Sequence, residues 1–175
     1  MNLQPVLSND KVCLRPLGAR DFERLYAVAS DPRIWEQHPT PTRWQRPVFE
    51  NYFAGAIESG GALLIQRAAD EQLIGCTRYY ALDLVASVVK IGYTFFSCDS
   101  WGGGYNPACK QLMLDHAFQT LERVQFEVGQ CNQRSQIAMT RLGARRLGVS
   151  EVAYHGEASH PNVVFEITRA EWQRR

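Results

Sequence analysis

The chain has 175 residues, and its 19 Lys and Arg almost cancel its 18 Asp and Glu, leaving a formal net charge of +1. That length suits one domain over residues 1–175, able to bury roughly two thirds of its unfolded surface. Balanced charge without a basic stripe argues against a nucleic-acid partner, and 45% hydrophobic residues without a long apolar run argue against a membrane span. The five cysteines (Cys13, Cys76, Cys98, Cys109, Cys131) are odd in number, widely spaced and free of any CxxC pair, so neither a disulfide framework nor a zinc knuckle is expected. They fit a reducing cytoplasm, and Met1-Asn2-Leu3-Gln4-Pro5 lacks the pattern of a signal peptide.

Lys11 to Arg15 alternates with period two and stops at Pro16, which predicts a first strand. In Asp21 to Ala29 the apolar Phe22, Leu25, Tyr26 and Ala29 recur at helical spacing, and Asp31-Pro32 supplies a breaker. Trp35 to Pro47 carries prolines, two tryptophans and a histidine without a period, and reads as an aromatic loop. A helix over Val48 to Glu58 follows, ended by Gly60-Gly61. Ala62 to Arg67, Gln72 to Ala81 and Val88 to Phe96 predict an antiparallel meander. In the last of these, Val89, Ile91, Tyr93 and Phe95 are expected to share one face. After three glycines, Asn106 is the expected N-cap of a helix with Pro107 at its first position and Leu114, Ala117, Phe118 and Leu121 as its apolar stripe. Val124 to Val128 alternates as a strand, Asn132 to Leu142 predicts a helix stopped by Gly143, and Asn162 to Thr168 is the last strand. The polar stretch Gly148 to Asn162, with His155 and His160, reads as a solvated loop without metal-ligand spacing. This order predicts an α+β domain with helices packed on a mixed sheet.

A strand running into Gly102-Gly103-Gly104 and then a helix offers unhindered backbone N–H groups beside the positive end of a helix dipole, an arrangement suited to an anion. The alternative is a plain tight turn. A dinucleotide fingerprint fails because no βαβ unit precedes the glycines and Pro107 breaks the pattern. A P-loop fails for want of Gly-Lys-Ser/Thr.

Taken together, Ile91-Gly92-Tyr93, Trp101-Gly102-Gly103-Gly104-Tyr105-Asn106, Asn132-Gln133-Arg134-Ser135 and Leu142-Gly143-Ala144 resemble the GNAT acetyltransferases. Within them they are similar to the branch that holds the ribosomal-protein N-terminal acetyltransferases. Cys13 to Leu17 resembles the family's opening strand and Arg169-Ala170-Glu171-Trp172 its ending. The resemblance implies a GNAT fold, with a mostly antiparallel twisted sheet, a splayed central pair of strands and helices on both faces. It implies acetyl-CoA or another acyl-CoA as co-substrate, with its pyrophosphate on the amides of Gly102, Gly103, Gly104, Tyr105 and Asn106. Its pantetheine arm is expected against Val88 to Phe96 where that strand splays from Val124 to Val128, with further contacts at Phe95, Phe96, Asn132, Arg134 and Ser135. No metal is implied, and a homodimer is a common family trait.

Acyl transfer to an amine needs a neutral amine, a stabilised oxyanion and a proton for the departing thiolate. By resemblance a backbone N–H near Phe95, where the family's strand bulges, faces the thioester oxygen. Met139 stands where the family's usual tyrosine acid would be, which leaves Ser135 as candidate partner of the sulfur, beside Asn132, itself equally an N-cap. Lys90 replaces the glutamate that many relatives carry before Ile-Gly-Tyr. Glu36, His38 or an ordered water are the candidate bases, and an α-amine with a pKa of about 7.7–8.0 needs little help. Trp35, Glu36 and His38 are the expected acceptor-side residues, with Trp44 and Tyr52 as either wall or core. The predicted function is acetyl transfer to a primary amine, on a protein N-terminus or a small molecule. The other reading is an acyl-CoA-binding module without turnover.

Overall fold

The computed structural model describes all 175 residues, Met1–Arg175. In chain order the elements are β1 (Leu7–Ser8), β2 (Val12–Pro16), α1 (Phe22–Ala29), α2 (Arg46–Glu58), β3 (Ala62–Arg67), β4 (Leu73–Asp83), β5 (Val88–Phe96), α3 (Tyr105–Ala117), β6 (Arg123–Gly129), α4 (Gln133–Arg141), β7 (Arg145–Ala153), β8 (Ser159–Thr168) and α5 (Arg169–Trp172). The eight strands form one sheet in the order β1-β2-β3-β4-β5-β6-β8-β7. Only the β5–β6 pair is parallel. No helix is long and apolar enough to cross a membrane.

β3 shows why helices cover both faces. Its buried Leu63 and Ile65 join one apolar cluster with α3 and α4, whereas the alternating Ala62 and Leu64 join a second with α1 and α2. A strand apolar on both faces has to be covered on both.

β5 departs from the expected alternation. Val89 and Ile91 face the α3 side, but Tyr93 has φ +52°, and the β4–β5 register slips there, with Cys76 opposite Phe95 and Arg78 opposite Gly92. The extra residue is a β-bulge, and it reverses the phase of the strand. Phe95 therefore joins the α1–α2 cluster and Phe96 the α3 cluster, so the four predicted residues do not share a face. A bulky residue at positive φ is strained by about 1–3 kcal/mol and persists where neighbours fix it. Here the Tyr52 hydroxyl donates to the Tyr93 carbonyl at 2.7 Å, and the Arg78 guanidinium lies 3.9 Å from the centre of the Tyr93 ring.

Two other expectations are corrected. Asn106 is not the N-cap of α3; Gly104 holds that place with φ +77°, because a left-handed residue turns the loop into the helix. Pro107 then falls in the first turn, where no intrahelical N–H bond is lost. The stretch 148–162 is not simply a loop, since most of β7 and the start of β8 fall in it, paired as a hairpin whose ladder runs from Arg145 opposite Glu166 to Ala153 opposite Ser159. β7 pairs on one side only, so it is largely exposed and its sequence carries little apolar alternation.

Candidate active site

The site follows from one interruption of the sheet. β5 and β6 pair only at Val88–Arg123, Val89–Val124 and Lys90–Gln125, and beyond that point they diverge. The divergence opens a cleft of about 990 Å³ that reaches from the glycine loop, past the bulge, to the loop after α1. Backbone groups on the facing edges are left for a ligand to pair.

At one end, Gly102 and Gly104 both take left-handed φ, +78° and +77°. The amides of Gly102, Gly104, Tyr105 and Asn106 find no acceptor within the chain, and the last three belong to the N-terminal end of α3. Gly103 differs from the expectation. Its amide donates to the Ser100 carbonyl at 3.4 Å, and it closes the turn instead of lining the cleft. The buried Asn106 Oδ1 has no partner. Trp101 anchors the loop by donating from Nε1 to the Phe96 carbonyl at 3.2 Å, and the Arg134 guanidinium stacks 4.1 Å from its ring centre. Free amides, a helix terminus and a nearby guanidinium together fit a pyrophosphate. We expect Gly104→Val, which puts a branched side chain on a left-handed backbone, to weaken CoA binding about tenfold, some 1.4 kcal/mol by calorimetry. Gly60→Ala, also at positive φ but remote, is the control and leaves affinity unchanged.

Midway, Phe95 and Phe96 border the cleft. The Phe95 ring is buried among Trp35, Phe49 and Tyr52. Asn132 is the N-cap of α4, its Oδ1 accepting from the Ser135 amide at 3.0 Å. Asn132, Arg134, Ser135 and the buried Met139 all line the cleft.

The acceptor end is built differently from the expectation. Glu36 is exposed and lies off the cleft. His38 lines it, but burial, and then the charge of Arg43, hold its pKa well below the ordinary value. Its Nδ1 accepts from the Thr40 amide at 2.9 Å, and Arg43 Nη1 stands 3.0 Å from Nε2, so neither ring nitrogen is open to an incoming proton. Trp35 lines the cleft, Tyr52 is core beneath the bulge, and Trp44 is exposed off the cleft.

The carboxylate comes instead from β6. Glu127, with a side chain 8% exposed, lines the cleft just beyond the last β5–β6 pair and takes hydrogen bonds from Lys90 Nζ and, at 3.0 Å, from the Tyr80 hydroxyl. Burial, reinforced by the Glu127 charge, keeps the Tyr80 phenol well above its ordinary range, so it stays a donor. Lys90 and Glu127 thus form a pair in which the acid stands one strand away from the expected place. The sequence held a signal for this. In Val124 to Val128 the apolar residues alternate with Gln125 and Glu127, which puts Glu127 on the polar face of a strand beside the splay.

The wall opposite is latched. Arg43, 1% exposed, lies between 5.2 and 5.6 Å from the ring centres of Trp35, Tyr52 and Tyr154, and its Nη2 donates to Glu157 Oε1 at 2.6 Å. The Thr40 hydroxyl donates to the other Glu157 oxygen. Tyr154, pushed up to about 12 by burial, donates to Asn162 Oδ1 at 2.6 Å. The loop after α1 is thereby fixed to the β7–β8 hairpin, a contact no local spacing reveals.

Residues 11–145 match the family model described as an acetyltransferase (GNAT) domain. A search of curated protein sequences gives no match. Among solved structures, a T. thermophilus protein assigned as an acetyltransferase is 26% identical, with a TM-score of 0.77, over 97% of this chain and 93% of its own. A GCN5-related N-acetyltransferase from Brucella melitensis is 20% identical with a TM-score of 0.80, over 97% and 81% of the two chains. RimJ of Mycobacterium smegmatis, in complex with CoA-disulfide, is 19% identical with a TM-score of 0.72, over 95% and 87%.

Proposed function

Since the chain belongs to the GNAT acetyltransferase family and is an N-acetyltransferase that uses acetyl-CoA, we propose that its acceptor is a primary amine, on a protein N-terminus or a small molecule, attacking directly within a ternary complex. The observation that carries this reading is a single cleft joining the unpaired amides of the glycine loop to the Glu127 carboxylate across the divergence of β5 and β6. When bound, acetyl-CoA supplies the acyl group as an activated thioester. Gly102, Gly104, Tyr105 and Asn106 hold the pyrophosphate through backbone amides, with Arg134 adding charge, and the RimJ structure with CoA-disulfide supports such a use of this fold. The β5 backbone at Phe95 and Phe96 pairs with the amide-bearing arm and turns an N–H toward the acyl oxygen. Glu127 takes the proton of the incoming amine, Tyr80 and Lys90 orient its carboxylate, and Trp35 and Tyr154 flank the amine. Ser135 hydrogen-bonds to the sulfur; a serine hydroxyl is too weak an acid to do more.

The test is to incubate the purified protein with acetyl-CoA and a panel of peptides and small amines and to follow free thiol. Saturable, acceptor-dependent release is the expected result. Tight binding of acetyl-CoA with no release for any acceptor would overturn the proposal in favour of a binding module.

A further inference from the structure

Lys110 has no part in the chemistry assigned above. It lies in the second turn of α3, 3% exposed, yet it borders the cleft. Its Nζ donates to Thr94 Oγ1 at 2.6 Å and to Thr77 Oγ1 at 3.3 Å, which leaves one of its three N–H groups without a partner. From β4 it is faced by Thr77 and from β5 by Thr94; the titratable groups that act on it electrostatically are the thiols of Cys109, its neighbour on α3, and of Cys76, which packs on the other face of the sheet. Burial pushes both thiols up to about 11, so neither carries a charge that would neutralise it, and burial pushes the lysine itself down to about 8. An ammonium buried among hydroxyls with no carboxylate is costly, and one held at that cost beside a cleft marks a candidate functional group. Thr94 follows the Tyr93 bulge on the α3 side of β5, so the ammonium stands beside the stretch where β5 has left β6.

We propose that the Lys110 ammonium receives and protonates the sulfur released from the acyl donor. The acceptor nitrogen bonds to the acyl carbon, the carbon–sulfur bond breaks with its electron pair going to sulfur, and Lys110 gives that sulfur a proton. The amine's surplus proton goes to Glu127, and solvent then takes that proton from Glu127 and returns one to Lys110. The proposal rests on the acyl-CoA reading of the cleft, and it assigns a donor where Met139 offers none.

The experiment titrates the thiol of CoA bound to the protein, read by ultraviolet thiolate absorbance against the complex with desulfo-CoA, which cancels the protein's own cysteines. In the unaltered protein the bound thiol titrates at least about one unit below a free thiol's value of about 8.5. In Lys110→Met it returns to the free value, and CoA loses its affinity advantage over desulfo-CoA, expected at about tenfold. Should Lys110→Met fail to fold, Lys110→Gln gives the same reading. Identical titration in the unaltered and substituted proteins overturns the role of Lys110 alone. Failure of both CoA and desulfo-CoA to bind the unaltered protein overturns the reading of the cleft as well.

Discussion

Glu127→Gln is expected to lower kcat/KM for the amine by about 10²–10³-fold while leaving the KM for acetyl-CoA within about twofold, the range for loss of a positioned general base. The amide keeps the size of the side chain and an oxygen for the Tyr80 hydroxyl, so the strand stays in place. What it loses is the capacity to take a proton. Lys90, 28% exposed, can turn its ammonium to water once its partner is neutral, so folding is little affected. Steady-state kinetics across pH check this. If the substituted enzyme stays within about threefold of the original, the proton leaves by another route and Glu127 is only a structural partner of Lys90.

Glu157→Ala is expected to cost about 3–5 kcal/mol of unfolding free energy, because it strands the Arg43 guanidinium in a buried wall. Arg43 Nε already lacks a partner, and Nη2 would lose its acceptor. The three surrounding rings offset part of that loss, since each cation–ring contact stabilises by about 0.5–2 kcal/mol. Arg43→Met with Glu157→Leu removes both charges and is expected to recover most of the stability, but not the shape of the acceptor wall. Urea denaturation of Arg43→Met, of Glu157→Leu and of the double variant gives the coupling. Purely additive losses would show that the pair contributes nothing of its own.

Strand positions were legible where alternation is a response to burial. Ala62–Arg67 and Val88–Phe96 have the predicted bounds because both lie in the middle of the sheet with neighbours on each side. The edge strand β7 was not legible, since Leu147 and Val149 are about half exposed and nothing forces the sequence to alternate. The bulge at Tyr93 escaped for another reason. Its positive φ is imposed by Tyr52 and Arg78, residues 41 and 15 positions away, and the side chain itself disfavours it. The half of the site proposed for the cofactor is local, a glycine turn leading into a helix, and sequence exposes such features well. The half proposed for the acceptor depends on Glu127 meeting Lys90 and on Arg43 meeting Glu157, and neither spacing carries a pattern.

The Arg43–Glu157 latch also fixes an order of events. Its partners are 114 residues apart, and the Thr40–Glu157 contact spans 117. A ribosome completes β2 through α4, with the glycine loop and the divergent strands, before residue 157 exists as part of the chain. During that interval Arg43 has no Glu157 carboxylate to meet. Bringing residues so far apart in sequence together carries an entropic cost, which the pairing of β8 with β6 and of β7 with β8 helps to offset. The chain thus carries its glycine loop and its divergent strands before it carries the carboxylate that latches the wall opposite.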